Sequence, residues 1–107
     1  MNKTIKKLDN NLCQALTRVC EQAKLDIPGF VWVTHTADYA RFPSSLKITC
    51  VFETDADLCN AIVLQHDEQL IKTIQQTLLK AGVLLKRAKN QVVFDTEEAG
   101  AVQRLLK

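Results

Sequence analysis

The stretch Leu46-Lys47-Ile48-Thr49-Cys50-Val51-Phe52-Glu53 decides the fold class. Leu46, Ile48, Cys50 and Phe52 fall on one side, and Lys47, Thr49, Val51 and Glu53 on the other. A period of two is the mark of a strand with one buried face. Upstream, Phe30-Val31-Trp32-Val33-Thr34-His35-Thr36 is dense in aromatic and β-branched residues and reads as a second strand. A loop containing Tyr39, Arg41, Phe42, Pro43, Ser44 and Ser45 joins them, giving a hairpin with a long connection.

Before this hairpin, Ile5, Leu8, Leu12, Leu16, Val19 and Ala23 recur at helical spacing. Thr4 or Asp9 is the expected cap, and Asp26-Ile27-Pro28-Gly29 the expected stop, because proline disfavours helix in the residue before it. After the hairpin, Thr54 with Asp57 approaches a capping box and opens a short helix through Leu58, Ala61 and Ile62. A second start at His66-Asp67 leads through Leu70, Ile71, Ile74 and Leu78 to Lys80, where Gly82 closes the helix. Residues 83–86 and 91–94 flank Arg87-Ala88-Lys89-Asn90, which reads as the turn of a second hairpin. Asp95 with Glu98 then starts a final helix through Ala99, Val102, Leu105 and Leu106, weakened by Gly100.

The expected order is α-β-β-α-β-β-α, with the middle helix whole or broken in two. It implies a single α+β domain over residues 1–107. Its architecture is two-layer: a four-stranded, mainly antiparallel sheet with helices on one face. The 107 residues, 47% hydrophobic and 24% charged, sit at the globular average and exclude disordered and collagen-like classes. The longest clean apolar run is residues 61–64, far short of the ~18 residues of a membrane span.

The four cysteines carry no Cys-x-x-Cys, and the two histidines no His-x3-His, so no metal is expected from spacing. Cys13 and Cys20 lie seven residues apart on the first helix. That is ~10 Å along the axis, beyond the ~7 Å reach of a disulfide. All four cysteines, with Cys50 in a strand pattern and Cys59 in a helical one, read as reduced, buried thiols, consistent with a cytoplasmic protein. Three scattered glycines form no phosphate loop, and Ser44-Ser45 lacks a Gly-x-Ser-x-Gly elbow. No catalytic residue and no cofactor is therefore expected. His35 reads as a sheet-face residue and His66 as a helix cap.

Charge is segregated. Residues 53–68 hold five acids and no base, and residues 72–90 hold five bases and no acid. The helix dipole accounts for most of this, but not for Lys86, Arg87 and Lys89 in the expected turn. Two readings stand for that trio, a solvated turn and a polyanion contact. Five of the six aromatic residues lie in the first hairpin and its loop. There Tyr39, Arg41 and Phe42 read either as a partner-binding platform or as a loop folded back over the core.

The runs Pro28-Gly29-Phe30-Val31-Trp32-Val33-Thr34-His35, Arg41-Phe42-Pro43-x-Ser45-Leu46, Val51-Phe52-Glu53-Thr54 and Phe94-Asp95-Thr96-Glu97-Glu98-Ala99 carry a resemblance over nearly the whole chain. They resemble a family of small gammaproteobacterial proteins often labelled "Fis family transcriptional regulator". This implies a bacterial regulatory protein associated with nucleic acid. Fis proper is all-helical and reads DNA with a C-terminal helix-turn-helix; here the C-terminus offers only Arg104 and Lys107, so no binding residue carries over. A weaker likeness is to ribosome-binding factor A, whose RNA-binding fold also begins α-β-β-α. That family places a helix-kink-helix, around an Ala-x-Gly element, before its last strand. Here Lys80-Ala81-Gly82 is instead followed by an expected strand and turn.

Together these readings give a non-catalytic interaction or regulatory module. Its expected partner is nucleic acid or the ribosome. The alternative is a self-associating, protein-binding module, a homodimer paired through the second face of the sheet around Val51. No membrane contact is expected in either case.

Overall fold

The computed structural model describes residues 3–99. Helix α1 (Lys3–Asp26) packs Leu12, Ala15, Leu16, Val19 and Ala23 into the core, as the spacing predicts. The chain is helical from Lys3 on, so Thr4 and Asp9 fall within the helix and not at a cap position. Ile27 still bonds back to Ala23, and Gly29 then turns the chain at φ +80°. A Cβ on Gly29 would stand 2.3 Å from Asp57 Cγ, so both the turn and the close approach demand glycine.

Strand β1 (Phe30–Thr36) pairs antiparallel with β2 (Lys47–Phe52). The register shifts between Phe30 and Trp32, leaving Val31 as a bulge. Phe30 therefore faces the helices together with Val33 and His35, while Trp32, Thr34 and Thr36 face away. Phe30 meets Phe52 edge to face, ring centroids 5.6 Å apart at 85°. Helices α2 (Asp55–Val63) and α3 (His66–Lys80) follow, so the middle helix is broken in two, at Gln65, whose φ is +63°. Thr54 caps α2: its hydroxyl accepts from the Asp57 N–H at 3.1 Å and donates to the Asp57 carboxylate at 2.9 Å. No side chain caps α3, so the helix-cap role expected of His66 is not seen.

The four-stranded, mainly antiparallel sheet is corrected to a three-stranded mixed sheet of order β1-β2-β3; the α+β class stands. The second hairpin does not form. Gly82 (φ +88°) closes α3, with Val83 N–H bonding Leu78 O at 2.8 Å and Gly82 N–H bonding Leu79 O at 3.0 Å. From there the chain runs extended, burying Val83 and Leu85 against the core without pairing to a strand. Their alternation is real, but it reports packing and not a ladder. The supposed turn is one turn of helix, α4 (Ala88–Gln91), leading directly into β3 (Val92–Thr96). Strand β3 lies parallel to β2, Ile48 opposite Val92 and Phe52 opposite Thr96. A parallel partner needs a crossover, which α2 and α3 supply.

Helices α1 and α3 share one core with Ile48, Cys50, Phe52 and Val92 from the sheet. Thr96, not Asp95, caps the helical turn after β3: its hydroxyl accepts from Ala99 N–H at 3.1 Å and donates to the Asp55 carboxylate at 2.6 Å. Residues 97–99 are helical; Gly100, Val102, Leu105 and Leu106 of the expected final helix lie outside the described residues. The buried-thiol reading holds for Cys50, whose thiol burial and then Cys20 push up to about 12. It fails for Cys13 and Cys59, which are exposed. Among the described residues, no helix is long and apolar enough to cross a membrane.

Candidate functional site

Two segments far apart in the sequence meet at one end of the sheet. The first is the loop before β2. Asp38 opens a 3-10 turn (Tyr39–Arg41), its carboxylate accepting from Ala40 N–H at 3.0 Å. The Ser45 hydroxyl donates to Asp38 O at 2.6 Å and accepts from Asp38 N–H at 3.0 Å, which closes the loop on itself. The second segment is the extended run and α4. The alternation that buries Val83 and Leu85 leaves Leu84 and Lys86 outward, and the Gln75 side chain donates to Leu85 O at 3.2 Å.

Gln91 joins the two. Its amide nitrogen donates to Pro43 O at 2.9 Å and to Leu46 O at 3.0 Å, and its amide oxygen accepts from Arg87 N–H at 3.2 Å. At 8% exposure it is one of two buried polar side chains among the described residues. Buried amides are kept only when their hydrogen bonds are met, and this one clamps the loop to the turn.

The space between is a cleft of about 640 Å³, lined by Ser44, Ser45, Lys47, Lys86, Arg87 and Asn90 around Pro43, Leu46, Leu84 and Gln91. Three cations line it, and among the described residues no carboxylate does. No ion pair among those residues engages Lys47, Lys86 or Arg87. Such a lining stabilises a negatively charged ligand with amide and hydroxyl groups at hand for hydrogen bonds.

Of the expected cationic trio, Lys86 and Arg87 enter the cleft, while Lys89 lies exposed on α4 outside it. Lys47 takes its place; the sequence showed it only as the polar half of an alternating strand. Of the expected platform, Tyr39 and Phe42 stack on each other, centroids 5.2 Å apart at 23°, and the Tyr39 hydroxyl donates to the Asp9 carboxylate. Both rings are thus half-buried against their own chain, and Arg41 alone of the three is exposed. Comparison with family models, curated proteins and solved structures finds no match to this chain.

Proposed function

We propose that this protein is a non-catalytic interaction module that binds the phosphate backbone of a nucleic acid, single-stranded RNA foremost, in the cleft of Lys47, Lys86 and Arg87. The observation that carries this reading is three cations converging on one cleft without a lining carboxylate among the described residues. A net charge of +2 is small, so affinity is modest and sensitive to salt. The element order adds support. Helices α2 and α3 bend at Gln65 before the last strand, the helix-kink-helix arrangement that the likeness to ribosome-binding factor A implies. Val63, Leu64 and Gln65 stand at the kink where that family has Ala-x-Gly, so no residue carries over. In a mobility shift with mixed RNA and DNA, replacing Lys47, Lys86 and Arg87 by glutamate weakens binding by roughly 100-fold or more, since repulsion replaces attraction. Lys89→Glu alone has a small effect. Wild-type affinity in the triple variant removes the cleft from consideration.

One observation favours self-association as a second reading. Trp32, on the face of the sheet turned away from α1, is 45% exposed. Val51 on that face is only 7% exposed and Val93 is half-buried, while Thr34, Thr36, Lys47, Thr49 and Asp95 are polar, so Trp32 is the one large apolar side chain exposed there among the described residues. Light scattering decides: a mass near 12.0 kDa rejects a dimer, and a mass near twice that which Trp32→Glu halves supports it.

A further inference from the structure

Helix α1 and strand β1 bring three side chains of metal-binding chemistry to one place. Asp9 and Cys13 are four residues apart on α1, hence on one face a turn apart, and His35 faces the same helix from β1. A carboxylate oxygen, the thiol sulfur and an imidazole nitrogen all lie within 4.8 Å of one another. His35 Nε2 stands 3.6 Å from Asp9 Oδ1. A tetrahedral zinc centre, with bonds of about 2.0–2.3 Å, holds its ligand atoms roughly 3.3–3.6 Å apart. The His35–Asp9 edge already has that length, and a shift of roughly 1 Å by the exposed Cys13 side chain closes the rest.

Two further features belong to a built centre. Metal ligands need outer partners that fix their orientation, and the Tyr39 hydroxyl donates to Asp9 Oδ1, the oxygen nearest His35. Cys13 and His35 also line, with Leu16, Thr17, Cys20 and Val33, a cleft of about 310 Å³. Two of the three ligands, Cys13 and His35, face this cleft, and three protein ligands leave a fourth position there to water or a small ligand, the pattern of an exchangeable site.

We propose that Asp9, Cys13 and His35 bind one divalent ion of the zinc class, held through Cys13 Sγ, His35 Nε2 and an Asp9 carboxylate oxygen. Thiolate and imidazole together select zinc over magnesium or calcium. On binding, the Cys13 thiol releases its proton to solvent and the sulfur takes the metal. The sequence expectation of no metal rested on spacing along the chain; this set is assembled across α1 and β1, its histidine 22 residues from the cysteine. It shares no residue with the cationic cleft and stands or falls separately from it.

The test is titration of the metal-free full chain with Co²⁺, then displacement by Zn²⁺, read in the near-ultraviolet and visible. The expected result is saturation at one ion per chain, with a sulfur-to-cobalt charge-transfer band and tetrahedral d–d bands that zinc abolishes. Cys13→Ser removes the charge-transfer band, His35→Gln weakens binding at least ~10-fold, and Tyr39→Phe weakens it roughly 10-fold through the lost orientation of Asp9. Cys59→Ser, at an exposed position of α2, leaves the titration unchanged. Far-ultraviolet circular dichroism verifies that each variant is folded. Absence of stoichiometric binding by the wild-type chain overturns the proposal, without reference to any variant. So does a titration that Cys13→Ser and His35→Gln leave intact.

Discussion

Phe52→Ala is expected to cost about 3–5 kcal/mol of stability. Phe52 is fully buried on the central strand, between Phe30 on one neighbour and Thr96 on the other. Its ring also supplies one half of the edge-to-face pair with Phe30, worth ~0.5–1.5 kcal/mol beyond burial. Against a total stability of ~5–15 kcal/mol, such a loss leaves little margin. Thermal unfolding should fall by more than about 10 °C. Phe52→Leu, which keeps most of the volume, should cost under ~1.5 kcal/mol. Equal midpoints for Phe52→Ala and wild type would contradict the described core.

Gln91→Leu is expected to destabilise by about 2–3 kcal/mol although leucine is the more hydrophobic residue. Leu46 O loses its Gln91 donor in a buried position, while Pro43 O keeps a second donor in Leu46 N–H at 3.1 Å. Arg87 N–H loses its acceptor but lies on an exposed residue and turns to water. The loop bearing Pro43–Lys47 then comes loose from the segment bearing Lys86 and Arg87. Nucleic-acid affinity should fall several-fold with no charge removed. Chemical denaturation with an unchanged midpoint would show that Gln91 is not the clamp.

These two residues mark where the sequence is legible. Phe52 is read correctly because alternation is local and its cause, one buried face, acts residue by residue. Gln91 escapes because its burial depends on carbonyls 45 and 48 residues away, which no local pattern encodes. Val83 and Leu85 mislead for a related reason: period two records that alternate side chains are buried, whether or not a neighbouring strand exists. The bulge at Val31 likewise defeats simple alternation, placing Phe30 and Val33 on one face across an odd interval. At the site, Lys86 and Arg87 were visible as charge in excess of what helix dipoles explain. Lys47 was hidden within its strand, and the Asp9–Cys13–His35 set was hidden by its span across two elements.

The cleft itself is tested most directly by the affinity for a single-stranded RNA oligonucleotide across a series of salt concentrations. Each phosphate neutralised on a single strand contributes about −0.7 to the slope of log K against log salt, so Lys47, Lys86 and Arg87 together predict a slope near −2. The slope should approach zero when all three are reversed to glutamate. A flat wild-type response, or a slope undiminished in that variant, would contradict the account.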